Sequence, residues 1–516
     1  MKKIHILTVI SLAMLLFAGC GESYFDINQN PNRAVETNMT PNLILPSALH
    51  RVGILTAATQ PETDFTQGNA ANGNYQQWMG YYARCAGTYG PNTDLEAFQL
   101  SASFNQGVWH DWMDVLKDLD VMEKSAVARK ETAYEAIAKI VKAIGFMTLV
   151  DQYNNIPYSK CFDIVNYMLT PYDKGEDIYK DLLEQLAKAD ELLKEADPGN
   201  NYDIERADVV FSGDLGMWRK LGNTQRLRML MHEADFLGAA ALKTEVDKIV
   251  ANGAGFLEEG ETAAVHLTYS ADKGKQNPFW NTYKVNDQGV ADAYFRANNF
   301  FLNLLRDNGD IRYTYFYSRA KTPTGGEYYV GFDFGAVDNT LPDGAHSSMV
   351  SGPGIAKSVD MPQWFFPSFE SLFLQAEAIQ RGALAGDAQA VYKRAVTESF
   401  VWLGIEDAAE VADKYLHPAE PTDTKFAEWG SHPDKLKLIY LQKYIAMYGI
   451  NGAESWTDYR RTGVPDIPRS KHPSVGNNRI PYRLIYPTTE YQFNNKNATA
   501  QGTINPQSNK IFWDNN

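Results

Sequence analysis

The residues that could carry out chemistry are few, and their spacing works against most reactions. His232-Glu233 opens a zinc-binding pattern, but no second histidine follows one helical turn later. Ser351-Gly352-Pro353-Gly354 lacks the Gly-x-Ser-x-Gly order of a nucleophile elbow and reads as a tight turn. No phosphate-cradling P-loop is present, and Cys85 and Cys161 have no histidine nearby in sequence. Asp307-Asn308-Gly309-Asp310 offers hard oxygens to a calcium ion. It does not continue as an EF-hand loop, so a surface turn is the plainer reading. A structural calcium is the one ion left open, and no other cofactor is expected. Two close carboxylate pairs, Asp94 with Glu96 and Glu454 with Asp458, have the residue types of a glycoside hydrolase. Turn and helix-surface carboxylates explain them more simply.

The positive signal is aromatic. The chain holds 10 Trp, 29 Tyr and 25 Phe, many of them in loop-like contexts beside Asn, Gln and Asp. An aromatic face offers a flat apolar surface to the C–H side of a sugar ring or to an apolar peptide side chain, and a neighbouring amide can bond its polar edge. The candidate groups are Asn74 with Trp78, Tyr89 with Asn92, Trp280 with Asn277 and Asn281, and Trp364 with Gln363. The competing reading of each is a core aromatic or a loop anchor.

The N-terminus bears on the compartment. Lys2 and Lys3 precede an apolar run from Ile4 to Phe17, closed by Ala18-Gly19-Cys20. Basic, apolar and small residues in that order read as a secretory signal, residues 1–19, with a run too short to cross a bilayer core of roughly 30 Å. Cleavage before Cys20 and acylation of that residue would tether a body of residues 20–516 to a membrane, durably if several chains are attached. The formal charge of -15 argues against nucleic acid, which needs clustered Lys and Arg. Cys85 and Cys161 leave a single bridge or two free thiols open.

The elements that must position the candidates are helical. Apolar residues at Ile137, Ile140, Val141, Ile144, Met147 and Leu149 mark one face of a helix from Glu131 to Tyr153. Ile178 to Leu193, Trp218 to Met231 and Trp109 to Met122 repeat the pattern. Phe369 to Arg381 is followed by Gly382 and Gly386, then by Asp387 as N-cap of the next helix. A further helix runs from about Asp434 to Tyr448. Helix pairs joined by short turns pack antiparallel, which predicts a mostly α protein of tetratricopeptide-like pairs, with an irregular bundle as the alternative. The scaffold is expected at about 40–240 and 365–460. Residues 253–362 are rich in Gly, Asn, Asp and aromatics and predict a loop-rich, ligand-side insert. Tyr313 to Tyr317 and Tyr328 to Phe334 read as strand-like there, and short β-hairpins are expected. Loops on a rigid base are where binding usually resides.

An ordered series of blocks matches a known family. It starts with Cys20, Tyr24-Phe25-Asp26-Ile27-Asn28 and Asn30-Pro31-Asn32, and continues through Ala86-Gly87-Thr88-Tyr89-Gly90-Pro91 with Thr93-Asp94. Leu149-Val150-Asp151-Gln152-Tyr153 leads to Ile156-Pro157-Tyr158-Ser159, and Gln225-Arg226-Leu227-Arg228, Gln375-Ala376-Glu377-Ala378 with Arg381-Gly382, and Lys443-Tyr444-Ile445-Ala446 follow. The last block is Glu454 to Gly463. Over nearly its whole length the chain resembles the SusD/RagB family of Bacteroidetes surface lipoproteins, in its SusD-like starch-binding branch. The resemblance implies one mostly helical body of tetratricopeptide-like pairs, lipid-anchored at the outer membrane. It would bind oligosaccharides, or peptides in some members, as the lid of a SusC-like TonB-dependent transporter, without catalysis. A surface lipoprotein glycoside hydrolase is the alternative, and a structural surface protein a third. The family's ligand residues vary with the glycan, so none carries over. The matched blocks are expected to build the scaffold, with Arg460-Arg461 as an ionic anchor beside Asp458.

Overall fold

The computed structural model describes residues 39–57, 71–338, 342–419 and 424–515, so Cys20 and the signal segment lie outside the described residues. Ten helices frame the body: α1 Pro41–Ala57, α2 Ala71–Trp78, α3 Gln106–Arg129, α4 Thr132–Tyr153, α5 Gly175–Glu195, α6 Leu215–His232, α7 Ser368–Gln380, α8 Ala388–Leu403, α9 Lys435–Ala446 and α10 Gly452–Thr462. Helices α3, α4, α5 and α6 each pack on the next, and α7 packs on α8, giving the expected series of antiparallel pairs.

Local chemistry explains the turns. Lys130 takes a left-handed conformation after α3, and the Glu131 N–H reaches back to Ala126 O at 2.9 Å, so the chain reverses within two residues. Gly382, at φ +74°, ends α7, and the Asp387 carboxylate accepts from the N–H groups of Gln389 and Ala390 to start α8. Helix α4 is buried nearly all round because α3 and α5 flank it. Gly145 is what lets α3 approach so closely: a Cβ there would lie 2.8 Å from the Trp112 ring.

Among the described residues the β structure consists of three two-stranded antiparallel pairs: β1 Tyr82–Arg84 with β5 Phe295–Ala297, β2 Ile156–Pro157 with β3 Tyr172–Asp173, and β4 Ala263–Val265 with β6 Gln363–Phe366. Two of the pairs join segments distant in sequence, so β4 and β5 stitch the region 253–362 onto the helices rather than forming local hairpins. Tyr313–Phe316 is a helical turn, not a strand. Phe316 N bonds Arg312 O at 2.9 Å and Tyr317 N bonds Tyr313 O at 3.0 Å. Tyr328 to Phe334 likewise holds only an isolated bridge, Asn298 with Phe332. Aromatic β-propensity misleads in both, because burial against neighbouring elements decides the conformation. Asp307 to Asp310 is a turn closing a helix, and both Asp310 oxygens are engaged by Arg312. Cys85 and Cys161 are free thiols.

Beneath these elements lies a buried set of charges. On α6, Arg228 Nη2 is 2.6 Å from Glu370 Oε1 on α7. His232 meets Asp151 of α4 at 3.2 Å and Glu454 of α10 at 3.0 Å. Lys443 of α9 lies 3.3 Å from Glu454 and 2.8 Å from Asp458, and Arg461 bridges Asp458 at 2.7 Å and Glu377 at 2.6 Å. Arg461 is therefore the ionic anchor expected beside Asp458. Arg460 is not: its guanidinium donates to the carbonyls of Asp151 and Tyr482 and lies 3.8 Å above the Trp456 ring. Burial alone would depress the His232 pKa, but Glu454 and Asp151 outweigh it and hold it up at about 9. A raised histidine pKa contributes stability fully present below 6.5 and lost as pH rises through about 9. Thermal unfolding followed from pH 6 to pH 10 is expected to show that loss. His232→Gln should remove it and, by leaving buried carboxylates uncompensated, cost about 3–5 kcal/mol at neutral pH. An unchanged alkaline slope in the variant would contradict the assignment.

Candidate functional site

Strand β1 delivers Arg84 to the base of an exposed loop. The guanidinium is buried, with Nε 3.0 Å from Glu96 Oε1 and Nη2 3.3 Å from Glu96 Oε2. It also donates to the carbonyl of Tyr89 and, at 2.7 Å, to that of Ala336. Desolvating an arginine and a glutamate is costly unless each is paired and fully bonded, and here both are. The Cys85 carbonyl accepts from Thr88 N at 3.0 Å and Tyr89 N at 2.9 Å, while Cys85 N donates to Tyr294 O at 2.7 Å. The backbone carrying Tyr89 is thus fixed from below and from both sides.

On this base the Tyr89 ring is 37% exposed and stands 5.2 Å from the Tyr294 ring, tilted by 56°. Tyr294 rests edge-on against Phe295 of β5 at 5.0 Å. Burial pushes its phenol up to about 12, so the hydroxyl stays a neutral donor and acceptor. Asp292 organises the backbone beneath, accepting from the N–H groups of Tyr294 and Phe295, and burial raises its carboxyl to about 6. Asn92 caps the short helix Thr93–Glu96: its Oδ1 accepts from Leu95 N at 3.1 Å, and its N–H donates to Glu96 Oε2 at 2.8 Å. Its side-chain amide therefore has a fixed orientation on the same exposed loop as Tyr89. Two phenols and an amide on a braced loop can hold a ring by its apolar face and bond its hydroxyls.

The other sequence candidates are placed differently. Trp78 is buried, donates to Leu95 O at 3.1 Å and stacks on Phe104 at 5.4 Å. Asn74, beside it on α2, donates to Asn105 Oδ1 at 2.7 Å. Gln363 and Trp364 lie in β6 in the core, where the Trp364 indole donates to Ile450 O at 3.3 Å. Asn277 caps the helix Pro278–Tyr283 and donates to Met361 O and Gln363 Oε1, all of it buried. Trp280 and Asn281 on that helix are half-buried. Lys284 lies 5.4 Å from the Trp280 ring centre, and Asn281 accepts from Asp287 N. Only Tyr89 and Asn92, with Trp280 and Asn281, therefore reach solvent. Tyr294 and Arg84 are what sequence reasoning missed. Tyr294 could have been suspected from its place in an Asp- and Asn-rich stretch, but the Arg84 brace reaches Ala336 across 252 residues and leaves no local mark.

The carboxylates that might have served catalysis are committed. Glu96 is held by Arg84, Asp94 accepts from Ser101, and Glu454 and Asp458 belong to the buried charge set. Among the described residues no group of three or more His, Cys, Asp or Glu side chains could hold a metal, and no helix is long and apolar enough to cross a membrane.

Helical pairs of this kind make a tetratricopeptide-like scaffold. A family model described as starch-binding associating with outer membrane matches residues 45–487, and the chain belongs to that SusD-like family. Solved structures agree on the fold. A SusD homolog from Bacteroides uniformis superposes with a TM-score of 0.75 at 22% identity, covering 92% of this chain and 99% of its own. A chitin-binding SusD homolog from Flavobacterium johnsoniae gives 0.74 at 22%, with 92% and 99% covered. A SusD homolog from Bacteroides fragilis gives 0.72 at 21%, with 92% and 99% covered. A comparison with curated proteins gives no match.

The brace is testable on its own. Arg84→Ala leaves Glu96 buried without its partner and is expected to cost about 3–5 kcal/mol. Backbone hydrogen exchange should accelerate over residues 86–92 while α4 and α6 stay protected. Unchanged exchange in that loop would refute its anchoring by Arg84.

Proposed function

We propose that this protein captures oligosaccharides at the cell surface, tethered by lipid on Cys20, and serves as the lid of a SusC-like TonB-dependent transporter. One observation carries the reading: the Tyr89–Tyr294 pair, half in solvent on an arginine-braced loop, in a chain matched by the starch-binding family over 45–487. The likeness to a chitin-binding homolog points to the same ligand class. The family description supports an outer-membrane site, and the signal and Cys20 pattern supports the tether.

The transporter partnership has a surface that suits it. Ile164, Val165 and Met168 form an exposed apolar loop, 70%, 90% and 79% accessible, and Phe493 is also exposed on the helix Thr488–Phe493. Asn497 ties the two regions together through bonds to the carbonyls of Leu169 and Thr170. Contiguous exposed apolar side chains of this kind mark protein contacts. The partners that the close carboxylate pairs already hold favour capture without turnover over the glycoside hydrolase alternative.

Calorimetric titration with maltooligosaccharides, chitooligosaccharides and peptide mixtures tests the ligand class. Saturable binding of an oligosaccharide is expected, with Tyr89→Ala weakening it about tenfold, or roughly 1.4 kcal/mol. Binding of peptides alone, or an affinity indifferent to Tyr89, would overturn the reading. For the partnership, Val165→Asp with Met168→Asp should abolish co-purification with the transporter and leave glycan affinity intact. Undiminished co-purification would remove that surface from the account.

A further inference from the structure

A second concavity lies between the N-terminal end of the helix Asn299–Arg306, the segment around Phe334 and the loop 467–471, and adjoins the base of the Tyr89 loop through the Phe98–Phe334 contact and the Ser470–Glu96 bond. Its volume is about 280 Å³. That is near the lower end of the roughly 300–1,000 Å³ of small-molecule sites, and suits one ring with a substituent rather than a chain.

Its walls are aromatic. Phe300 and Phe334 are half-buried, and Phe334 packs on Phe98 at 5.8 Å. The Phe300 ring can lie across the floor only because Gly80 has no side chain: a Cβ there would be 2.7 Å from Phe300 Cδ1, and φ is +71°. At the bottom sits Gln77. Its side chain is fully buried, and neither its Nε2 nor its Oε1 has a hydrogen-bond partner. An amide left open at both ends in a buried position costs about 1–3 kcal/mol for each unmet group, unless a bound molecule or water satisfies it. A ring hydroxyl, which both donates and accepts, would answer these atoms once the side chain turns into the groove.

The rim carries charge. Lys471 is paired with Asp333, which also accepts from Asn299 Nδ2 at 3.0 Å, so that pair is neutral. Arg469 is exposed and has neither hydrogen bond nor ion pair among the described residues. That leaves an unneutralised guanidinium at the edge of the aromatic groove. Its planar fork suits a carboxylate held by two parallel bonds.

We infer that this groove binds the acidic ring of a uronic-acid-bearing glycan, with the ring between Phe300 and Phe334, hydroxyls on the Gln77 amide and the carboxylate on Arg469. The inference rests on the glycan reading above and adds a second, charge-selective site to it.

The test uses the full protein titrated with methyl glucuronide and methyl glucoside, at low and at high salt. The glucuronide is expected to bind at least tenfold more tightly at low salt, with the preference shrinking as salt rises. Arg469→Gln should reduce the glucuronide to the level of the glucoside. Gln77→Met, close in volume, should weaken both ligands alike. Arg469 is exposed, so its variant remains informative if Gln77→Met fails to fold. Equal affinities for the two glycosides, a preference that survives Arg469→Gln, or tighter binding of an aromatic dipeptide through its terminal carboxylate would each overturn the site. If oligosaccharides bind in a Tyr89-dependent way and the glucuronide does not bind, only the groove fails. If no carbohydrate binds anywhere, the glycan reading fails with it.

Discussion

Glu454 sits where three cations converge: His232 at 3.0 Å, Lys443 at 3.3 Å and Arg228 at 3.8 Å, all of them buried. Burial alone would raise its carboxyl, but His232, Lys443 and Arg228 hold it well below the usual carboxylate range. Such charges gain little net stability over a well-packed apolar core, yet removing one partner strands another in a medium that cannot solvate it. The cluster therefore acts on arrangement. Helices α4, α6, α7, α9 and α10 each contribute charged residues to it, and no one of them can shift without unpairing a charge on another.

That constraint is passed to the loop face by aromatic packing. Trp456 of α10 stacks on Tyr75 of α2 at 5.3 Å and meets Trp78 edge-on at the same distance. Just beyond α2, the Tyr81 phenol donates to the carbonyl of Tyr444 on α9, and the Tyr444 phenol donates to that of Met79, each at 2.5 Å. The chain then enters β1, and Arg84 delivers the braced turn on which Tyr89 stands. In the proposed function, a loop fixed in this way would meet its ligand with little ordering cost left to incur, which favours affinity.

The helices were legible because their information is local. The apolar spacing of α4, the Gly382 stop and the Asp387 cap all lie within a few residues of what they control. The Arg461–Asp458 pair was legible for the same reason, being one helical turn apart. The rest of the charge set was not, since His232 and Glu454 are 222 residues apart and Arg228 and Glu370 are separated by 142. Among the aromatic and amide candidates, Tyr89 and Asn92 reach solvent, whereas Trp78, Gln363 and Trp364 look equivalent to them in sequence and are core. An aromatic beside an amide reads alike on a rim and in a buried strand, and only the three-dimensional partners of the indole distinguish the two. Tyr313 to Tyr317 shows the same ambiguity in secondary structure, where the Arg312–Asp310 anchor sets a helical turn on residues of high strand propensity.

The central claim is that a charge-locked scaffold stays still while its aromatic loop takes up a glycan unchanged. Hydrogen exchange of the full protein with and without a maltooligosaccharide and chitooligosaccharide mixture, followed by mass analysis of the recovered sugars, tests it most directly. The account predicts new protection confined to residues 86–92 and the adjoining 284–294 segment, unaltered exchange in α4, α6 and α10, and sugars recovered intact. Protection that appears in those helices but not in the loops, or shortened sugars in the recovered pool, would contradict it.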